Sequence, residues 1–263
     1  MVVFRYEWKR SRKYIWIWAT VLSICIFSMT PVYYRMIGAA GDMPLSFAQG
    51  GFFEMVGISM EQLTKPLGMY SFLTSFFMIA GGIFGMHFGM SLYTKECAEN
   101  TVEFLFTKPC GRTAIYWAKG ACLFCGVVAV GGSYLAASYL TMRLFHPGFP
   151  LLEFLLVAFS VTLVILFFGA LGLLVGSVRP RNRSALLTAG LTVFLEYCIR
   201  EFSIVVGIRP LGYLSPFSFF TPSAIHGLGA YEWNYLLWYL LLVAAIMALS
   251  YRALLKRDIT FAA

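Results

Sequence analysis

An all-α integral membrane protein with six transmembrane helices is the fold class this sequence predicts, on three observations. Apolar residues form 60% of the 263-residue chain and charged residues 12%, and the mean hydropathy is +0.77, outside the balance of soluble domains. Six apolar runs are long enough to cross about 30 Å of hydrocarbon at about 1.5 Å per helical residue. Basic residues gather in the short segments on one side of those runs, the distribution that orients multi-pass helices and predicts that both termini are cytoplasmic.

The chain begins with Phe4, Tyr6 and Trp8 interleaved with Arg5, Lys9, Arg10, Arg12 and Lys13. Segment 4–13 suits a short interfacial helix in the headgroup region, and it serves equally as an orientation signal with aromatic anchors. The first span, 14–34, is too long for a signal-peptide core and lacks a small-residue cleavage site, so it is expected to be retained. Further spans are expected at 67–93, 113–142, 151–178, 185–206 and 233–254. No polar stretch is left that could fold separately in water, and 1–263 reads as a single transmembrane domain.

The outer loop before the second span opens on Gly38, Gly41 and Pro44 and then turns semi-apolar through Phe47, Phe52 and Phe53. Before the last span, Pro210, Pro216 and Pro222 cut an aromatic stretch into pieces of at most two turns. Such pieces suit short re-entrant or outer helices. In the second span Gly81, Gly85 and Gly89 recur every four residues, and the fourth carries Gly169, Gly172 and Gly176. Each set forms a groove where backbones approach closely, within one bundle or at a subunit interface.

Several function classes drop out. The formal net charge of +8 sits in short segments beside spans, where topology explains it, so no nucleic-acid partner is expected. The six cysteines fall in spans or on the cytoplasmic side, which argues against a disulfide framework. Cys122 and Cys125 share a helix face but lack further ligands, and His87, His146 and His226 fit no metal spacing. No metal is expected, although His87, inside the second span, can face a polar cavity.

Two charged constellations remain. The stretch KECAENTVEFLFTKPCGR, residues 95–112, has Glu96, Glu99 and Glu103 toward the start of a helix and Lys108 toward its end, both favourable in the helix dipole. Pro109 ends it. Val102, Leu105 and Phe106 fall at helical spacing, which predicts an amphipathic helix near 96–108 at the cytoplasmic surface. In the fifth span, EYCIRE sets Glu196, Arg200 and Glu201 inside the membrane, where each isolated charge costs about 2.5 to 3.5 kcal/mol at the centre. Glu196 and Arg200, four apart, share a helix face and can neutralise each other. They form either a structural pair or part of a pathway.

The 95–112 stretch resembles the cytoplasmic loop of type-2 ABC transporter permeases. In that family a glutamate precedes a Gly-Thr pair, followed by a second glutamate, a leucine and a proline; Glu96, Thr101, Glu103, Leu105 and Pro109 match them, with Gly111-Arg112 as a small-residue-arginine step and Lys119 as a lysine opening the next span. Asn100 stands where the family has glycine, and Asn is the next residue most tolerant of a left-handed backbone. The resemblance implies that the stretch is a coupling helix, with Glu96, Glu99, Thr101, Glu103, Leu105, Phe106, Pro109 and Arg112 as its ATPase-docking residues. It further implies an ATP-driven exporter in the plasma (inner) membrane of a bacterial cell, a second permease copy or a sister permease, surrounding lipid, and Glu196, Arg200, Glu201 and His87 bordering the path.

The chain contains no G-x-x-x-x-G-K-[ST] sequence, so this chain is expected to bind no cofactor and catalyse no bond chemistry, with ATP and Mg on a separate cytoplasmic ABC ATPase subunit. An amphipathic peptide, antibiotic or other hydrophobic compound is the expected cargo. The alternatives are an intramembrane enzyme or a stand-alone secondary carrier centred on Glu196, and ATP dependence separates them from the leading reading.

Overall fold

A computed structural model describes residues 2–40, 66–98, 111–146, 148–182, 184–222, 224–225 and 229–256. The chain is all-helical: α1 Val2–Ala40, α2 Pro66–Ala98, α3 Arg112–Phe145, α4 Leu151–Val178, α5 Ala185–Val206, the single turns α6 Arg209–Gly212 and α7 Pro216–Phe219, and α8 Trp233–Lys256. Among the described residues no strand occurs.

Five of these helices, α1, α2, α3, α4 and α8, are long and apolar enough to cross a membrane. The expected sixth span forms α5, whose 22 residues reach about 33 Å. It has the length, but Glu196, Arg200 and Glu201 remove it from the helices that also qualify by composition. The proline-cut stretch before α8 forms the short α6 and α7, each with a proline in its first turn, where the missing N–H is harmless.

The N-terminal segment differs from expectation. Residues 4–13 form no separate interfacial helix; they are the first turns of α1, which runs unbroken for 39 residues, about 58 Å. The reason is visible in the side chains. Glu7, Ser11, Ile15, Ala19, Leu22 and Ile26 form one buried stripe at helical spacing, so the face that packs on α3 extends into the polar end without a phase change. Trp16, Ile17, Val21 and Ile24 on the other side are exposed, as a lipid-facing surface requires.

The most extensive helix contact is between α2 and α4, and glycine makes it. A Cβ on Gly85 would collide with the carbonyl oxygen of Ile165, one on Gly89 with that of Gly169, and one on Gly172 with that of Met86. Gly81 is less crowded, a Cβ there lying 2.8 Å from Ile165 Cγ1. The two glycine sets therefore meet each other inside one chain, bringing backbones together where lipid supplies little hydrophobic drive for association. Around this seam α4 also packs on α3 and α8, and α5 on α2.

Candidate functional site

The two ends of segment 99–110 are rooted in the bundle. Residues Glu99, Thr101, Glu103, Leu105, Phe106 and Pro109 lie outside the described residues. Glu96 and Arg112, the flanking members of the expected docking set, are described: Glu96 is buried in the bundle, and the half-exposed Arg112 bonds the end of α8 at the surface.

Glu96 belongs to the last turn of α2 and is 8% exposed. Its Oε1 accepts from Lys119 Nζ at 2.5 Å. Lys119, in the second turn of α3, is 0% exposed and also donates to Oε1 of Glu7, 2.7 Å away on α1, where Glu7 is 3% exposed. The third bond from Nζ goes to the carbonyl oxygen of Leu92, one turn before Glu96. An ammonium has three protons, and each has an acceptor; the ring of Tyr93, 5.0 Å from Nζ, adds a π face. Desolvating a lysine is tolerable only when opposite charge and hydrogen bonds compensate it this fully.

At the other root, Arg112 Nη1 donates to the carbonyl oxygen of Leu255 at 2.8 Å, satisfying an acceptor near the end of α8 and placing a cation at that helix's negative pole. Tyr116 donates to the carbonyl oxygen of Met247 at 2.7 Å, and Thr113 and Tyr251 share a hydroxyl contact at 3.3 Å. Segment 99–110 thus leaves α2 at a turn clamped to α1 and enters α3 at a turn fastened to α8.

Of the pairings that the spacing on α5 allows, the structure takes the one between neighbours. Arg200 Nη1 pairs with Glu201 Oε1, not with Glu196. A guanidinium on a flexible stem can bend to the adjacent carboxylate, so four-residue spacing permits the Glu196–Arg200 pair without requiring it. Glu196 Oε2 and Arg200 Nε are buried without a hydrogen-bond partner, and Ser215, ahead of α7, donates to the backbone carbonyl of Glu196 at 2.7 Å.

His87 sits in the seam between α1 and α2, its Nδ1 2.7 Å from the hydroxyl of Tyr14, next to the stacked rings of Phe84 and Phe88. Among the described residues no group of three His, Cys, Asp or Glu side chains could hold a metal ion.

The family known as ABC-2 family transporter protein matches residues 1–259, which takes in all of these helices and both roots. The chain belongs to the ABC-2 transporter family. It is therefore a multi-pass membrane protein and a permease subunit of an ABC transporter, a transport subunit rather than an enzyme, of a kind that associates with an ABC ATPase. No curated protein matches the chain.

Two members of the permease's ion cluster escaped assignment from sequence as buried groups, although a signal existed. Glu7 continues the phase of Ile15, Ala19, Leu22 and Ile26, and Lys119 that of Ile115, Cys122, Gly126 and Val130. A charge in phase with a buried stripe must find an opposite charge on a neighbouring helix.

Proposed function

We propose that this permease subunit forms the translocation path of an ATP-driven exporter and that segment 99–110 docks on a separate cytoplasmic ATPase subunit, which carries ATP and Mg. The single observation that carries this reading is the rooting of the segment: one end is tied to α1 and α3 through Glu96, Lys119 and Glu7, the other to α8 through Arg112. A load that reaches the two ends of the segment passes from α2 and α3 to α1 and α8 through these contacts. The basic end of the bundle, where these roots lie beside Lys256 and Arg179, faces the cytoplasm in this reading. A second permease copy or a sister permease completes the path, α5 borders it with Glu196, Arg200 and Glu201, and the cargo is amphipathic or hydrophobic.

Purification from native membrane in mild detergent, followed by mass spectrometry and an ATPase assay, tests the partnership. A co-purifying nucleotide-binding subunit is expected, and Glu103→Lys and Pro109→Leu are expected to abolish stimulation of its ATP turnover while leaving membrane insertion intact. Unchanged stimulation in both variants contradicts docking through this segment. A stand-alone carrier is the second reading, favoured by the buried, unpartnered Oε2 of Glu196; proton-driven transport by the purified chain without nucleotide selects it.

A further inference from the structure

The Glu7, Lys119 and Glu96 cluster joins three helices through one side chain. Lys119 holds the last two turns of α2, at the Glu96 carboxylate and the Leu92 carbonyl, and holds α1 at a third point, Glu7. Contact between α1 and α2 is otherwise slight beside the α1–α3 and α2–α4 contacts. At this end the lysine is the bridge from the turn that leads into segment 99–110 to the helix that begins the chain. Its bonds are directional, its three donors are all committed, and it is fully buried. Moving the α2 turn away would leave either the ammonium or a carboxylate buried and unpaired, which is the costly outcome.

We propose that Lys119 is the positioning residue of the coupling step: with Glu7 and Glu96 it forms a rigid joint that makes the start of α1 and the end of α2 move as one body when segment 99–110 is displaced. The proposal rests on the coupling reading above and adds to it which helix receives the displacement. Packing between α1 and α2 is centred on Tyr14, Trp18, Phe84 and His87, deeper in the bundle than the turn that carries Glu96. The apolar α2–α4 seam leads motion toward α4, the Arg112 contact leads it toward α8, and the Tyr14–His87 contact ties α1 to α2 about two turns back along α2 from that turn. At the α2 turn that leads into segment 99–110, the ion cluster is the link to α1.

The test uses the permease in complex with its ATPase in lipid nanodiscs. Nitroxide labels are placed at Lys9→Cys, on the exposed face of α1, and Thr94→Cys, near the end of α2, with native cysteines replaced by alanine. The distance between them is measured without nucleotide and after trapping with ATP and vanadate. In the otherwise native protein one distance is expected in both states. In the neutral variant Glu7→Gln/Glu96→Gln/Lys119→Met the packing volume is kept and no charge is stranded, so the complex is expected to assemble with a Tm close to native. Its distance is expected to shift on trapping, and the permease's stimulation of ATP turnover to fall roughly tenfold. Glu7→Gln alone keeps the Lys119–Glu96 pair and is expected to give the same shift in part, a second readout should the triple variant assemble poorly. A label distance indifferent to nucleotide in both variants overturns the joint, whatever their Tm. Absence of any ATPase subunit from the native complex overturns the coupling reading itself, and is distinguished by appearing before any substitution is made.

Discussion

The permease holds two charge clusters with opposite construction. Glu7, Glu96 and Lys119 come from three helices, lie within the packed α1–α4 bundle, and satisfy every donor of the lysine. Glu196, Arg200 and Glu201 come from α5 alone, whose buried residues are only Ala189, Val193, Arg200 and Ser203, and they leave Glu196 Oε2 and Arg200 Nε without partners. Charges drawn from several helices can surround one another. Charges drawn from one helix share a surface and must look outward for the remainder of their hydrogen bonds. The first arrangement fixes helices to each other, and the second leaves unspent polar capacity on a sparsely enclosed helix, where a path or a second permease can use it.

The comparison breaks most readily at Lys119. Lys119→Met strands two carboxylates in a buried site and is expected to destabilise the permease by about 3–5 kcal/mol, read as loss of folded yield and a lowered Tm in detergent. A loss below about 1 kcal/mol would put the cluster in the same class as an exposed ion pair.

Next in size is the seam that encloses the first cluster. Gly89→Leu sets a side chain against the carbonyl oxygen of Gly169, an obstacle that cannot rotate away as a side chain can, and overpacking of this kind costs about 1–3 kcal/mol or more. Gly190→Leu on α5, where nothing lies within 4 Å of the added Cβ, is expected to leave Tm unchanged. Equal effects from the two substitutions would erase the distinction between the enclosed and open halves.

Glu201→Gln tests the second cluster. It weakens the charged partner of the 5% exposed Arg200, and a loss of about 1–3 kcal/mol is expected; Glu201→Gln/Arg200→Met is expected to recover most of it. Glu196→Gln, whose carboxylate is not the partner of Arg200, is expected to be milder than Glu201→Gln by thermal unfolding. The reverse order would reinstate the Glu196–Arg200 pair. The smallest effect is expected at Ser215→Ala, which removes one hydrogen bond to the Glu196 carbonyl, about 0.5–1.5 kcal/mol.

Helix content was plain in the sequence because a run of apolar residues can cross hydrocarbon only as a helix that satisfies its own backbone. The bounds of α4, 151–178, and of α5, 185–206, follow directly from their apolar runs. The joining of 4–13 to the first span was less visible, because aromatic and basic residues suit an interfacial helix and the first turns of a long span alike. Glu7 decides between them by taking its place on the buried stripe.

The candidate site divides in the same way. The resemblance of the 95–112 stretch to a permease loop was legible in its glutamates, apolar spacing and proline. That Glu96 and Arg112 root it in the bundle was not, because their partners Lys119, Glu7 and the Leu255 carbonyl lie on other helices, 23 residues or more away in sequence.

Sequence alone determined what the bilayer demands of each segment separately: which runs are apolar enough to span, where proline stops a helix, and that buried charges need partners. Those properties depend on composition and spacing along one helix. Tertiary structure alone decided which partners they take. Lys119 reaches across to α1 and α2 because the bundle brings Glu7, Leu92 and Glu96 within about 3 Å of its ammonium, a proximity that belongs to the folded bundle and to no single segment; Arg200 turns to Glu201 beside it and not to Glu196, a side-chain choice that spacing along α5 leaves open.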